Sequence, residues 1–176
     1  MVQAQKFTNL VLAITTIVLA TLLFLGIQTK NQDVSLPAVV RHSTPWAEAQ
    51  QNQLPTVVEF YADWCTTCQS MAGDTRALQQ EFSGQVNFVM LDVDNNRWLP
   101  EIRRFQVDGI PHFVFLDRTK AVVGEAIGFV PKEVMVANIT ALLRGEKLPH
   151  AKLISEQRTF FSSPLAPDPT QPRSHS

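Results

Sequence analysis

The feature that most constrains this chain is a short apolar run followed closely by two cysteines. Thr56–Ala62 is rich in β-branched and aromatic residues, which is typical of a buried strand and not of a helix. After Cys65 and Cys68, apolar residues recur at helical spacing as far as Phe82. The sequence therefore predicts that both cysteines lie where a strand turns into a helix, with Cys65 near the helix start.

That position favours negative charge on the Cys65 sulfur. The first amides of a helix have no intrahelical partner, and the helix start carries partial positive charge. Lowering a thiol pKa to about neutrality raises the thiolate fraction at pH 7 from a few per cent to about half. Cys68, one turn further into the helix, is expected to be shielded but close enough to close a disulfide. We interpret the pair as a redox-active dithiol.

Composition argues against several other classes of site, although His112 could join the two cysteines as a metal ligand. The chain has 176 residues, two cysteines and a net charge of -1, so nothing in the charge points to nucleic acid as a partner. A zinc site normally needs four soft ligands, and no second cysteine pair exists in the sequence. An inert structural disulfide is the other alternative. We expect redox chemistry, without a metal or a cofactor.

Residues 7–27 carry no charged side chain. As a helix, such a stretch is about 30 Å long, which matches the hydrocarbon core of a bilayer. A cleaved signal peptide is the alternative, but the apolar run exceeds the usual length and no Ala-x-Ala-like site follows promptly. We expect an N-terminal transmembrane helix, a single-pass anchor within residues 1–30, with the folded domain outside the cytoplasm.

Strands and helices alternate along the rest of the chain, which argues for an α/β fold with a central sheet covered by helices. A linker at 31–44 is expected to include a short strand at 38–41. Beyond it, the sequence predicts helices at 45–52, 66–82, 97–105 and 131–143, and strands at 56–62, 86–93, 112–116 and 121–127. We expect one domain at 45–148 and a disordered Pro/Ser-rich tail at 149–176.

These residues resemble the thioredoxin family. The stretch Glu59–Cys68 is similar to its redox motif, and Gly109–Pro111 to its cis-proline loop. Finer matches, at 87–94, 98, 109–113 and 115–118, are similar to the membrane-bound thioredoxin-like proteins of cyanobacteria and chloroplast thylakoids. Two features depart from the family pattern: Thr66-Thr67 replaces the usual Gly-Pro, and Gly73 stands where the helix usually carries a kinking proline.

The resemblance implies a thioredoxin fold, a central mixed sheet flanked by helices, and a thiol–disulfide oxidoreductase acting as a disulfide reductase on lumenal or periplasmic proteins. It also implies partners: a CcdA-type membrane thiol transporter that supplies electrons, and apocytochromes during cytochrome c or cytochrome b6f maturation. An oxidase or isomerase of the same fold is one alternative. A membrane-tethered assembly factor without exchange activity is another.

The resemblance further implies catalytic roles for three side chains. Cys65 attacks the client disulfide and Cys68 resolves the mixed disulfide. Glu59, buried behind Cys68 with its pKa raised by desolvation, exchanges a proton with the resolving thiol. The alternative for Glu59 is an outward-facing position on an edge strand.

Client binding is implied for a second group of residues. A cis peptide bond before Pro111 turns the backbone of Ile110 toward the disulfide, where main-chain hydrogen bonds hold an extended client strand. Trp64 is expected at the rim of the site and in contact with the client. His112 is either a further contributor to client binding or a plain strand residue.

Overall fold

The computed structural model describes residues 11–22, 34–154 and 159–160. Residues 11–22 form helix α1. None of the helices within these ranges is both long and apolar enough to span a membrane. The transmembrane helix predicted at 7–27 is therefore not shown here, and its first and last residues lie outside the described ranges.

The helices after α1 are short except for two. They are α2 (Leu36–Arg41), α3 (Trp46–Gln51), α4 (Thr66–Glu81), α5 (Leu99–Arg104) and α6 (Lys132–Arg144), with a single 3₁₀ turn at Asn96–Trp98 before α5. The strands are β1 (Thr56–Tyr61), β2 (Asn87–Asp92), β3 (Gly109–Ile110), β4 (His112–Leu116), β5 (Val122–Ile127), β6 (Lys152–Ile154) and β7 (Thr159–Phe160). The structure confirms, within a few residues, the four helices and the four strands that the sequence predicts between residues 45 and 143.

Five strands form one mixed sheet in the order β2-β1-β4-β5-β6. β1 pairs in parallel with β2 and antiparallel with β4, and every residue of β1 is buried. β4 and β5 form the predicted hairpin, whose turn is held by Asp117: its side chain accepts hydrogen bonds from the Thr119 and Ala121 amides. This mixed sheet is the thioredoxin architecture that the sequence predicts.

Alternate residues of β1 contribute to two apolar clusters on opposite faces of the sheet. Val57 packs in the cluster that contains α4 and α6 residues such as Leu78 and Ile139. Val58 and Phe60 pack in the other cluster, together with residues of α3 and α5. β1, the strand that leads to the cysteines, is therefore packed on both faces. This packing fixes the position at which α4 begins.

The prediction of a strand at 38–41 is wrong, because Leu36–Arg41 forms helix α2. Its Val39 is fully buried, and the Val39 carbonyl accepts a hydrogen bond of 3.0 Å from the Gln79 side chain of α4. Gly73 of α4 faces the segment that leads into α2: a Cβ there would lie 3.0 Å from Val34 Cγ1. The glycine thus permits close approach of that segment, and α4 continues through it as one helix.

The tail predicted to be disordered from residue 149 onward contains two short strands. β6 pairs in parallel with β5, opposite Glu125–Ile127. β7 pairs antiparallel with β3, with Gly109 opposite Phe160 and Ile110 opposite Thr159. Order therefore extends beyond residue 148, while 155–158 and 161–176 lie outside the described residues.

Candidate active site

The two cysteines lie at the junction of β1 and α4, as predicted. Cys65 is the N-cap of α4, and its sulfur accepts a hydrogen bond of 3.1 Å from the Cys68 amide. The two residues are joined by a disulfide, with their Cα atoms 5.2 Å apart. An N-cap sulfur that already receives a helix amide is placed where the same amide stabilises a thiolate after reduction.

Neither cysteine is exposed in the oxidised protein. Both have 0% exposure and belong to the apolar cluster that also contains Ala62 and Ile110. The shielding predicted for Cys68 therefore extends to Cys65 in this state. Thiol–disulfide exchange requires contact between sulfurs, and Cys65 has no exposed surface in this oxidised state.

Glu59 is a carboxyl inside the central strand of the sheet. It is 3% exposed, which excludes the outward-facing alternative. Burial raises its pKa to about 8, although a hydrogen bond from Thr75 acts in the opposite direction. Its Oε2 atom has no hydrogen-bond partner among the described residues. Such a group is neutral at pH 7 and is able to give up a proton slightly above neutrality.

Thr75 connects this carboxyl to the helix of the cysteines. It lies seven residues after Cys68 on α4, and two helical turns separate positions that share one face. Cys68, Ala72 and Thr75 are all buried residues of α4. Glu59 is therefore packed against the face of α4 on which Cys68 lies.

The Ile110–Pro111 peptide bond is cis, as the resemblance implied. Ile110 is completely buried in the cluster that contains both cysteines. Its backbone belongs to β3, and this short strand is paired with β7. The position expected to bind an extended client strand is thus occupied in this structure by a segment of the chain itself.

His112 does not lie where a client contact requires it. Its side chain is 1% exposed, and its ring packs at 6.1 Å from the ring of Phe60 on the face of the sheet that also holds α5. Burial lowers its pKa, while the carboxylate of Glu125, 3.6 Å from Nε2, acts in the opposite direction. The contribution to client binding is therefore not supported, because the first residue of β4 points into the core.

The rim of the site is formed by the residues just before Cys65. Trp64 is 48% exposed, and its indole nitrogen donates a hydrogen bond of 2.7 Å to Asp94. Tyr61 is buried, and desolvation raises its pKa to about 12. Trp64 is thus held in one orientation at the surface, where a client is able to touch it, and Tyr61 is a packing residue.

No group of three metal-ligating side chains exists in the described part of the chain. The disulfide and the buried Glu59 carboxyl offer sulfur and proton chemistry at the site.

Sequence reasoning did not identify three partners of the site. Thr75 lies on the predicted apolar face of α4. A hydroxyl at a buried position needs a hydrogen-bond partner, and this was the available signal for its contact with Glu59. Glu125, which faces His112, follows from the register of the hairpin. The pairing of Thr159–Phe160 with β3 has no signal in a tail rich in proline and serine.

A dithiol–disulfide pair at the start of a helix, with a buried carboxyl packed against that helix and a cis-proline loop in the same apolar cluster, defines a protein-disulfide oxidoreductase with a thioredoxin fold. Comparison with known proteins leads to the same class. The sequence profile described as Thioredoxin matches residues 38–141. The chain belongs to the thioredoxin family.

Particular relatives narrow the comparison. The chain is 48% identical to the "Thiol:disulfide interchange protein TxlA homolog" of Synechocystis sp., over 97% of this chain and 94% of that protein. It is 40% identical to "Thiol:disulfide interchange protein TxlA" of Synechococcus elongatus, over 98% and 91% of the two chains. It is also 43% identical to "Thioredoxin-like protein HCF164, chloroplastic" of Oryza sativa, over 81% of this chain and 54% of that protein.

Proposed function

We propose that this chain is a membrane-anchored protein-disulfide reductase whose clients lie in a thylakoid lumen or a periplasm. The observation that carries the proposal is the buried Glu59 carboxyl with its raised pKa, packed against the helix that starts at Cys65. A reductase must deprotonate its second thiol after the first has reacted. A buried acid with a pKa of about 8 is matched to that proton transfer near neutral pH.

The reaction proceeds through two exchanges between sulfurs. In the reduced enzyme, the Cys65 thiolate attacks one sulfur of the client disulfide, and the other client sulfur leaves as a thiolate. Cys68 then passes its proton to the ionised form of Glu59, which a pKa of about 8 makes the minor form at pH 7, and attacks the Cys65 sulfur of the mixed disulfide. The client departs with two thiols, and the enzyme keeps the Cys65–Cys68 disulfide. Two electrons have passed to the client, and the oxidised state is the one this structure holds.

Partners on both sides of this reaction follow from the family resemblance. A dithiol of a CcdA-type membrane protein would reduce the Cys65–Cys68 disulfide and restore the enzyme. Apocytochromes, whose haem-binding cysteines must stay reduced, are the proposed clients during cytochrome c or cytochrome b6f maturation. The relatives named thiol:disulfide interchange proteins support exchange between proteins as the shared activity.

The anchor is proposed from the sequence alone. The uncharged stretch at 7–27 has the length of a membrane span, and we assign residues 1–30 to a single-pass anchor that holds the domain at the membrane surface. The domain proposed at 45–148 then faces the lumen or the periplasm. Resistance of the full chain to alkaline extraction from membranes tests this placement.

Trapping a mixed disulfide tests the reductase mechanism. In the Cys68→Ser variant of the full chain, the second exchange is blocked, so that a disulfide between Cys65 and the client accumulates. With insulin as the probe, we expect an adduct that is seen without reductant, disappears on reduction and contains Cys65 by mass spectrometry.

The matched control is Cys65→Ser, which keeps one thiol at the site but removes the attacking sulfur. It is expected to form no adduct. Absence of any Cys65-linked adduct in Cys68→Ser would contradict the proposed mechanism. A reduction potential far above the value of about -270 mV known for thioredoxin would assign the protein to oxidation instead.

A further inference from the structure

The short sheet of β3 and β7 lies apart from the five-stranded sheet. β3 consists of Gly109 and Ile110, and β7 of Thr159 and Phe160, so that the last described residues of the chain pair with the backbone beside Pro111. The pairing is antiparallel and in register, with each β3 residue opposite one residue of β7. The backbone of β3 is therefore already paired with another strand in the folded protein.

The occupied edge is adjacent to the reactive disulfide. Ile110 belongs to the same buried cluster as Cys65 and Cys68, and all three residues have 0% exposure. A peptide that reaches the Cys65 sulfur in an extended conformation can bind by adding to a strand edge close to it. β3 offers such an edge, because Ile110 belongs to the same cluster as Cys65. The chain's own tail and an incoming client thus require the same backbone groups.

We propose that Thr159–Phe160 is an internal competitor for the client-binding edge, and that a protein client must displace it before its disulfide reaches Cys65. This inference rests on the proposed reductase function, since it assumes an extended protein client.

The tail is held within reach of β3 by the strand before it. β6 pairs with β5 along Glu125–Ile127 at the edge of the main sheet, and only residues 155–158 connect β6 to β7. A short tether gives the tail a high effective concentration at β3 compared with a free peptide. Competition within the chain is therefore favoured even though the paired segment is short.

The same shortness makes the tail displaceable. β7 has two residues, and an isolated two-stranded pairing of this size has marginal stability. Segments with few paired groups open locally without unfolding of the domain. The tail should therefore act on the apparent affinity for protein clients, while the chemistry at Cys65 after binding stays the same.

A pair of prolines in β7 tests the competition. The double variant Thr159→Pro, Phe160→Pro removes both backbone donors of β7, so that no ladder with β3 forms. The matched control is Ser162→Pro, Ser163→Pro, which introduces the same residues into the tail outside β7. Both are made in the full chain and assayed for insulin reduction with a chemical dithiol as the electron source.

We expect the KM for insulin to fall in the β7 variant with kcat unchanged. If the tail occupies the edge in about four molecules out of five, the apparent KM falls by about fivefold. Hydrogen exchange at Gly109 and Ile110 should become faster in the same variant. The control should keep the KM and the exchange protection of the unmodified protein.

Three results would overturn the inference in distinguishable ways. Insulin reduction by all three proteins with equal KM values would show that β7 does not compete with clients, while the reductase function would stand. No insulin reduction by any of them would contradict the proposed function and the competition together. Unchanged exchange at Gly109 and Ile110 in the β7 variant would show that β7 does not protect this edge.

Discussion

Two buried titratable side chains lie on neighbouring strands of the central sheet, and they face opposite ways. Glu59 of β1 faces α4, where Thr75 hydrogen bonds to it, and its pKa is raised to about 8. His112 of β4 faces the other side of the sheet, beside Phe60 of the cluster that also contains both cysteines, and its pKa is lowered. Burial is the main cause in both cases, because it disfavours the charged form of either group.

The comparison supports different proposed roles for two side chains that are both buried. Glu59 packs against the helix that begins at Cys65, so a change in its protonation acts close to the dithiol. The nearest charged partner of His112 is Glu125, a half-exposed residue on the next strand away from β1. We therefore assign the proton transfer to Glu59 and treat His112 as a residue of the core.

The two groups should give opposite pH dependences of stability. The unfolded chain releases the Glu59 proton above about pH 4.5, whereas the folded protein holds it up to about pH 8, so stability falls as the pH rises through this window. For His112 the folded protein binds the proton less well than the unfolded chain. Its contribution is therefore lost as the pH falls below about 6.5.

The largest effect is expected for Glu59→Gln. At pH 7 the oxidised variant should be more stable than the unmodified protein by about 3 kcal/mol, because the unfolded chain no longer gains from ionising this carboxyl. At about pH 4 the difference should vanish. Urea unfolding at both pH values measures it. The variant should also reduce insulin about tenfold to a hundredfold more slowly, because the resolving thiol loses its proton acceptor.

Glu48→Gln is the matched control, since Glu48 is an exposed carboxyl on α3. It should change stability by less than about 0.5 kcal/mol at either pH and leave insulin reduction unchanged. Equal stability of Glu59→Gln and the unmodified protein at pH 7 would contradict the raised pKa of Glu59, and with it the contrast to His112.

A smaller effect is expected for His112→Phe. Phenylalanine keeps an aromatic ring beside Phe60 and removes the titrating group, so the variant should lose less stability than the unmodified protein between pH 7 and pH 5. Insulin reduction at pH 7 should stay within about twofold of the unmodified protein. A large loss of activity with intact stability would show that His112 takes part in the chemistry.

Much of this arrangement could be predicted because the determining signals are local. The β-branched run at Thr56–Ala62 and the two cysteines after it fix the junction that holds the disulfide. The burial of Glu59 and the cis bond before Pro111 came from the resemblance and not from the residues alone, since neither an acid in a strand nor an Ile-Pro pair specifies its own environment.

The errors share one physical cause, which is tertiary contact between segments distant in sequence. Leu36–Arg41 is rich in β-forming residues, but its buried side chains pack on α4 as a helix. Burial of Cys65 and His112 depends on neighbours that no local pattern specifies. The tail around β7 is rich in residues that rarely form strands, and β7 is a strand because it pairs with the distant segment β3.

The central claim is that Glu59 is a neutral acid in the oxidised protein at pH 7, and its titration can be measured directly. With ¹³C-labelled glutamate in the full chain, one carboxyl resonance that is missing in Glu59→Gln should titrate near pH 8, well above the other glutamates. Titration of that resonance below about pH 5, with the rest, would contradict the account.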